Sequence, residues 1–97
     1  MINKVVRKID KQGRLQLPME LVSFSSIRDS RDFAICSMGK KMIKLKKISD
    51  VRNHKVIALG KFDDKRRLII PLEIRQQTQE FEVFVFNGDL ILKEAHE

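Results

Sequence analysis

The stretch RKIDKQGRLQLPMEL, residues 7–21, returns 53 positions later as GKFDDKRRLIIPLEI, residues 60–74. A repeat constrains a short chain strongly, because each copy forms the same small unit and neither is large enough to bury a core alone. With Pro18 set on Pro71, Lys8 falls on Lys61, Asp10 on Asp63, Arg14 on Arg67, Leu15 on Leu68 and Glu20 on Glu73, six identities over residues 6–22. Many other positions exchange apolar residues, such as Ile9 with Phe62, Leu17 with Ile70 and Leu21 with Ile74. Downstream, DFAICSMG (32–39) parallels EFEVFVFN (80–87), and IKLK (43–46) parallels LILK (90–93), with the second copy five or six residues shorter. The chain therefore divides into a half-unit at 4–47, a connector at 48–55 and a half-unit at 56–93, together forming one domain over residues 1–97.

Each copy reads as strand, turn, strand, short helix, strand, turn, strand. Residues 4–9 are rich in β-branched side chains, and residues 10–13 signal a turn. Asp10 can accept a backbone hydrogen bond two residues on, and Gly13 can supply a positive φ. Arg66 replaces that glycine in the second copy, which predicts a different turn there. Leu15 and Leu17 alternate with Arg14 and Gln16, the period of a half-buried strand. Pro18 and Pro71 suit the first position of a short helix, with Glu20 and Glu73 in its first turn. The second hairpins are expected at 32–37 with 42–47 and at 80–86 with 90–93, and Asn87-Gly88 marks a tight turn. The predicted fold is mostly β: two tandem ββαββ half-units, each with one short helix, closing one β-barrel about a pseudo-two-fold.

Charge narrows the function. Twenty Lys and Arg against thirteen Asp and Glu give +7, and residues 1–47 carry twelve of the bases with only four acids. Such an excess suits a polyanion, nucleic acid before membrane. Arg7, Lys8, Lys11 and Arg14 gather about the first turn, and Lys61, Lys65, Arg66 and Arg67 about the second. Against them stands the reading of ordinary solvated turn charges, which the duplication disfavours. No run of about 18 apolar residues suggests a membrane span, and no apolar leader opens the chain. The single cysteine, Cys36, points to a reduced, cytoplasmic setting and a packed thiol.

The sequence from Val5, with its Asp-x-x-Gly-Arg turn, Pro-x-Glu-Leu helix start and closing I-x-L-K strand, resembles the SpoVT/AbrB swapped-hairpin family. Two tandem copies in one chain resemble the arrangement found in MraZ. The resemblance implies a bacterial DNA-binding transcriptional regulator whose partner is double-stranded DNA. It places Arg7, Arg14 and Arg67 at DNA-contact positions and Arg75 just after the second helix start. Gly60 stands where an arginine aligned with Arg7 is expected, and Val22-Ser23 where an arginine pair is common. The basic surface is therefore expected to be lopsided.

Other candidates are weaker. Asp10 and Asp63 are expected to be structural turn acids, since no histidine or second acid recurs beside both, so no enzyme activity is expected. Cys36 has no ligand-spaced partner, His54 lies in the connector and His96 near the end, which predicts neither metal nor cofactor. Phe81, Val83 and Val85 share a core-facing side of one strand, leaving Phe84 and Phe86 for contact between copies of the chain. Lys40, Lys41, Lys44, Lys46 and Lys47 are expected on a solvated strand edge. Two other function classes stand behind DNA regulation. One is an antitoxin resembling MazE, ranked lower because KEAHE follows the last strand without a toxin-binding tail. The other is an assembly module of the same fold.

Overall fold

The repeated alternation of strands and short helices appears twice in the computed structural model, which describes residues 4–39 and 41–95. The first copy gives β1 (Val5–Lys8), β2 (Arg14–Gln16), α1 (Met19–Ser23), β3 (Asp32–Ser37) and β4 (Met42–Lys46). After a 3-10 turn at Ile48–Asp50, the second gives β5 (Lys55–Lys61), β6 (Arg67–Ile69), α2 (Leu72–Arg75), β7 (Glu80–Phe86) and β8 (Asp89–Glu94). Pro18 and Pro71 stand one residue earlier than expected, as extended residues capping the helices rather than inside them. Proline lacks a donor and the first amides of a helix have no internal partner, so either position is tolerated. The helices themselves span only five and four residues.

The strands interleave between copies. The six-stranded antiparallel sheet runs β1-β7-β8-β4-β3-β5, and β2 pairs with β6 in a separate ribbon. β1 lies on β7 of the other copy, and β5 lies on β3 of the other copy. β4 pairs with β8, and β2 with β6, so equivalent strands meet antiparallel. Exchanging the two copies maps this pairing onto itself. The expected closed barrel is not what forms: the sheet stays open, with β1 and β5 as its edges. The cause is local. The Asp10 and Asp63 turns interrupt the ladders after β1 and β5, and the three-residue strands β2 and β6 pair with each other.

The core lies between sheet and ribbon. Leu15 and Leu68 project from the ribbon, Leu17, Leu21, Val22 and Ile70 from the helix entries, and Phe33, Ile35, Leu45, Phe81, Val83, Leu90 and Leu92 from the sheet. Phe81, Val83 and Val85 are buried as their alternation predicts, while Phe84 is half-buried and Phe86 exposed. Ala34, Cys36 and Ile91 are buried outside this cluster. Their alternation places them on the sheet's other face. Burial pushes the Cys36 thiol above its usual range.

That arrangement corrects one expectation. Lys44 and Lys46 are not on a solvated edge, because β4 is held between β8 and β3. Both ammonium groups pair with Asp89, Lys46 at 3.0 Å and Lys44 at 3.8 Å, and all three side chains are less than one-fifth exposed. Lys41 and Lys47 are exposed; Lys40 lies outside the described residues, as does His96.

Gly60 shows how tightly the copies fit. It faces Phe33 across the β5–β3 pair, where a Cβ would come within 2.6 Å of the ring. Phe33 has no space to retreat, since it is fully buried with the Phe62 ring at 4.8 Å. Gly60→Ala is expected to destabilise the fold by about 1–3 kcal/mol through overpacking, measured by urea denaturation. An unchanged midpoint would contradict this packing.

Candidate nucleic-acid interface

The period-two alternation of β2 and β6 sends Leu15 and Leu68 into the core and leaves Arg14, Gln16, Arg67 and Ile69 on the outer face. Arg14 stands opposite Ile69 and Gln16 opposite Arg67. The two repeated arginines are therefore diagonal neighbours on one surface, with backbones about 7–8 Å apart. Each is held by the aspartate four residues before it. Asp10 Oδ1 accepts the backbone N–H groups of Gln12 and Arg14, and its Oδ2 accepts Arg14 Nε at 2.8 Å. Asp63 does the same for Lys65, Arg67 and Arg67 Nε, the last at 2.7 Å.

The aspartates thus close the turns and fix the guanidinium planes at once. The Nη groups remain for other work, although Arg14 Nη2 also reaches Gln12 Oε1 at 3.1 Å. Chiefly because the Arg67 backbone N–H binds it, the Asp63 carboxyl is lowered to about 2, and Asp10 is lowered by the equivalent bond from Arg14.

The expectation of two different turns is wrong. Arg66 adopts φ +60° where Gly13 has +78°, and both turns close with the same backbone and carboxylate bonds. A left-handed arginine costs roughly 1–2 kcal/mol, which the two bonds into Asp63 Oδ1 help offset. Gly13 is needed for a second reason. Arg75 of the other copy lies directly on it, its guanidinium occupying the space of a Cβ and reaching Gln12 O at 3.4 Å. Arg66 in turn lies over the Phe62 ring at 5.9 Å. The basic surface is consequently less lopsided than expected: the first turn gains Arg75 from across the molecule, and the second carries Arg66 in the glycine's place.

Each turn borders a polar cleft built from both copies. One, about 440 Å³, is lined by residues 9–13 with Arg75 and Gln79. The other, about 450 Å³, joins residues 62–64 and Arg66 to residues 28–31. Arg28 and Arg31 were not anticipated. They lie in the longer connection after α1, and Arg31 pairs with Asp64 at 3.3 Å. Their only signal in the sequence is a pair of arginines in the segment that the second copy shortens.

The other anticipated groups are spread more widely. Lys11 and Lys65 are exposed in the turns. Arg7 is half-buried on edge strand β1, opposite Phe81, and is not brought onto the ribbon. Lys8 and Lys61 end the two edge strands, opposite the acids Glu80 and Asp32. Among the described residues no cluster of three His, Cys, Asp or Glu is arranged to hold a metal ion, and no helix is long and apolar enough to cross a membrane. No protein-family model matches the chain, and no curated protein is significantly similar to it.

The clamps make a pH-dependent prediction. Folded Asp10 and Asp63 titrate below their ordinary value of 3.8, so the stability they confer is complete above that pH. It is lost as pH falls toward about 2, the folded value for Asp63. Urea midpoints should drop across this window, and Asp63→Asn should flatten part of the drop. An acid limb unchanged in the variant would contradict the clamp.

Proposed function

We propose that this chain binds duplex DNA through the outer face of the β2–β6 ribbon and its two flanking turns, as a transcriptional regulator of the SpoVT/AbrB type. The observation that carries the reading is the pair of aspartate-clamped arginines, Arg14 and Arg67, set side by side by the ribbon register. A swapped-hairpin organisation belongs to the same reading, supported by the pairing of β1 and β5 with strands of the opposite copy.

The physical case rests on preorganisation. A guanidinium already fixed through Nε loses less freedom when it meets a phosphate, and its Nη groups keep the fork that oxygen pairs accept. Lys11, Lys65, Arg66 and Arg75 surround this centre and add counterion release. Among the described residues no helix exceeds five residues, so they offer no long reading element for the major groove. Recognition through phosphates and groove shape follows. The exposed Phe86, beside half-buried Phe84, supplies the surface we propose for self-association, which sedimentation of Phe86→Ser against the native protein tests.

Six phosphate contacts imply that log affinity falls with log salt at a slope of about −5. Arg14→Ala and Arg67→Ala should each weaken binding and reduce that slope by about one unit. Lys55→Ala should do neither, because Lys55 is exposed at the end of β5 away from the turn. Lys46, half-buried and paired with Asp89, is not a neutral control. Equal losses in all three variants would mean diffuse attraction rather than a site. Absence of duplex binding at about 50 mM salt would favour the assembly module.

A further inference from the structure

The pseudo-two-fold passes through the β2–β6 ribbon between Leu15 and Leu68, which stand opposite each other and are buried. Four side chains of the ribbon strands lie on its outer face. Arg14 and Arg67 are one symmetry-related pair, and Gln16 and Ile69 are the other. The first pair is identical, with the same aspartate clamp on each member. The second pair is not. An amide stands on one side of the axis, and a branched hydrocarbon that is 60% exposed stands on the other.

The amide has a structural task. Gln16 Nε2 crosses the ribbon and donates to Lys65 O of the second turn at 3.0 Å. The equivalent carbonyl of the first turn, Gln12 O, is met instead by Arg75 Nη1 at 3.4 Å. Ile69 carries no donor, and with Arg75 in that place the first turn asks none of it. Its side chain points outward from the ribbon, directly across from Arg14.

We infer that Ile69 reads a thymine methyl group, and that each chain recognises a duplex whose two halves differ at the positions met by Ile69 and Gln16. The inference rests on the DNA-binding reading above and adds one direct base contact to it. The major groove, about 12 Å wide, admits a two-stranded ribbon, and the thymine C5-methyl is the apolar group displayed there. A phosphate held by Arg14 sets where its cross-strand neighbour Ile69 meets the groove. Gln16, with Nε2 bound to Lys65 O, presents Oε1, an acceptor suited to the exocyclic amine of adenine or cytosine and indifferent to a methyl. Anchoring by the arginines is therefore symmetric, while reading of the bases is not.

The full chain is used to select duplexes from a randomised library, and the enriched duplex is titrated by fluorescence anisotropy. Single dT positions are then replaced by deoxyuridine, which removes the methyl group alone. Strand propensity favours isoleucine at any exposed β position, so the methyl is the readout that separates reading from propensity. One replacement should weaken native binding about three- to fivefold, the scale of one buried methyl group. That loss should vanish in Ile69→Ala, with the salt slope unchanged, and Ile69→Gln should drop the thymine from its selected site. A native site with full dyad symmetry, no methyl-sensitive thymine, or a methyl effect that persists in Ile69→Ala would each overturn the inference and leave duplex binding by the arginines standing. A chain that enriches no duplex would overturn the DNA-binding reading and this inference with it.

Discussion

Two antiparallel pairings, β4 with β8 and β2 with β6, join equivalent strands of the two copies, and the rest of the molecule depends on them. Antiparallel pairing of equivalent strands requires a local two-fold, and the placement of β1 on β7 and of β5 on β3 obeys the same symmetry. Four short strands have too little apolar surface to stand alone. Interleaved, they enclose a core in which Leu15 and Leu68, Leu17 and Ile70, and Phe33 and Phe81 come from matching positions. The same symmetry brings two turns and two arginines to one surface.

Departures from symmetry are compensated in pairs. Where the first copy has Ile9, the second has the larger Phe62, and Gly60 supplies the space that Phe33 then requires. Where the first turn has Gly13, the opposite helix ends in Arg75; where the second has Arg66, the equivalent helix position is the buried Val22. Each exchange preserves volume or charge near a turn although the individual residues differ. The one large difference left uncompensated, the shorter connection after α2, leaves an open cleft.

The sequence made the repeat, the strand order within each copy and the carboxylate turns legible, because β-periodicity and Asx geometry are local. Which strands become neighbours is not local. The run of lysines suggested a solvated strand edge but could not show that β8 would pair there and bring Asp89 to Lys44 and Lys46. Arg66 was misread for a related reason. Propensity disfavours a left-handed arginine, but the two amide bonds into Asp63 hold the turn regardless. The contact of Arg75 with Gly13 had no local signal, because the repeat sets Gly13 against Arg66 and Arg75 against Val22. Only the fold shows that they touch.

The Asp-clamped arginines of the ribbon are proposed to form one nucleic-acid surface. The most direct measurement is an NMR titration with a short duplex that follows the backbone amides and the arginine Nε–H signals. Saturable shifts of Arg14 and Arg67 Nε–H are expected together with amides in residues 10–16 and 63–69, while β4 and β8 stay unmoved. Shifts centred on β4 and β8, or spread evenly over every exposed lysine, would contradict it.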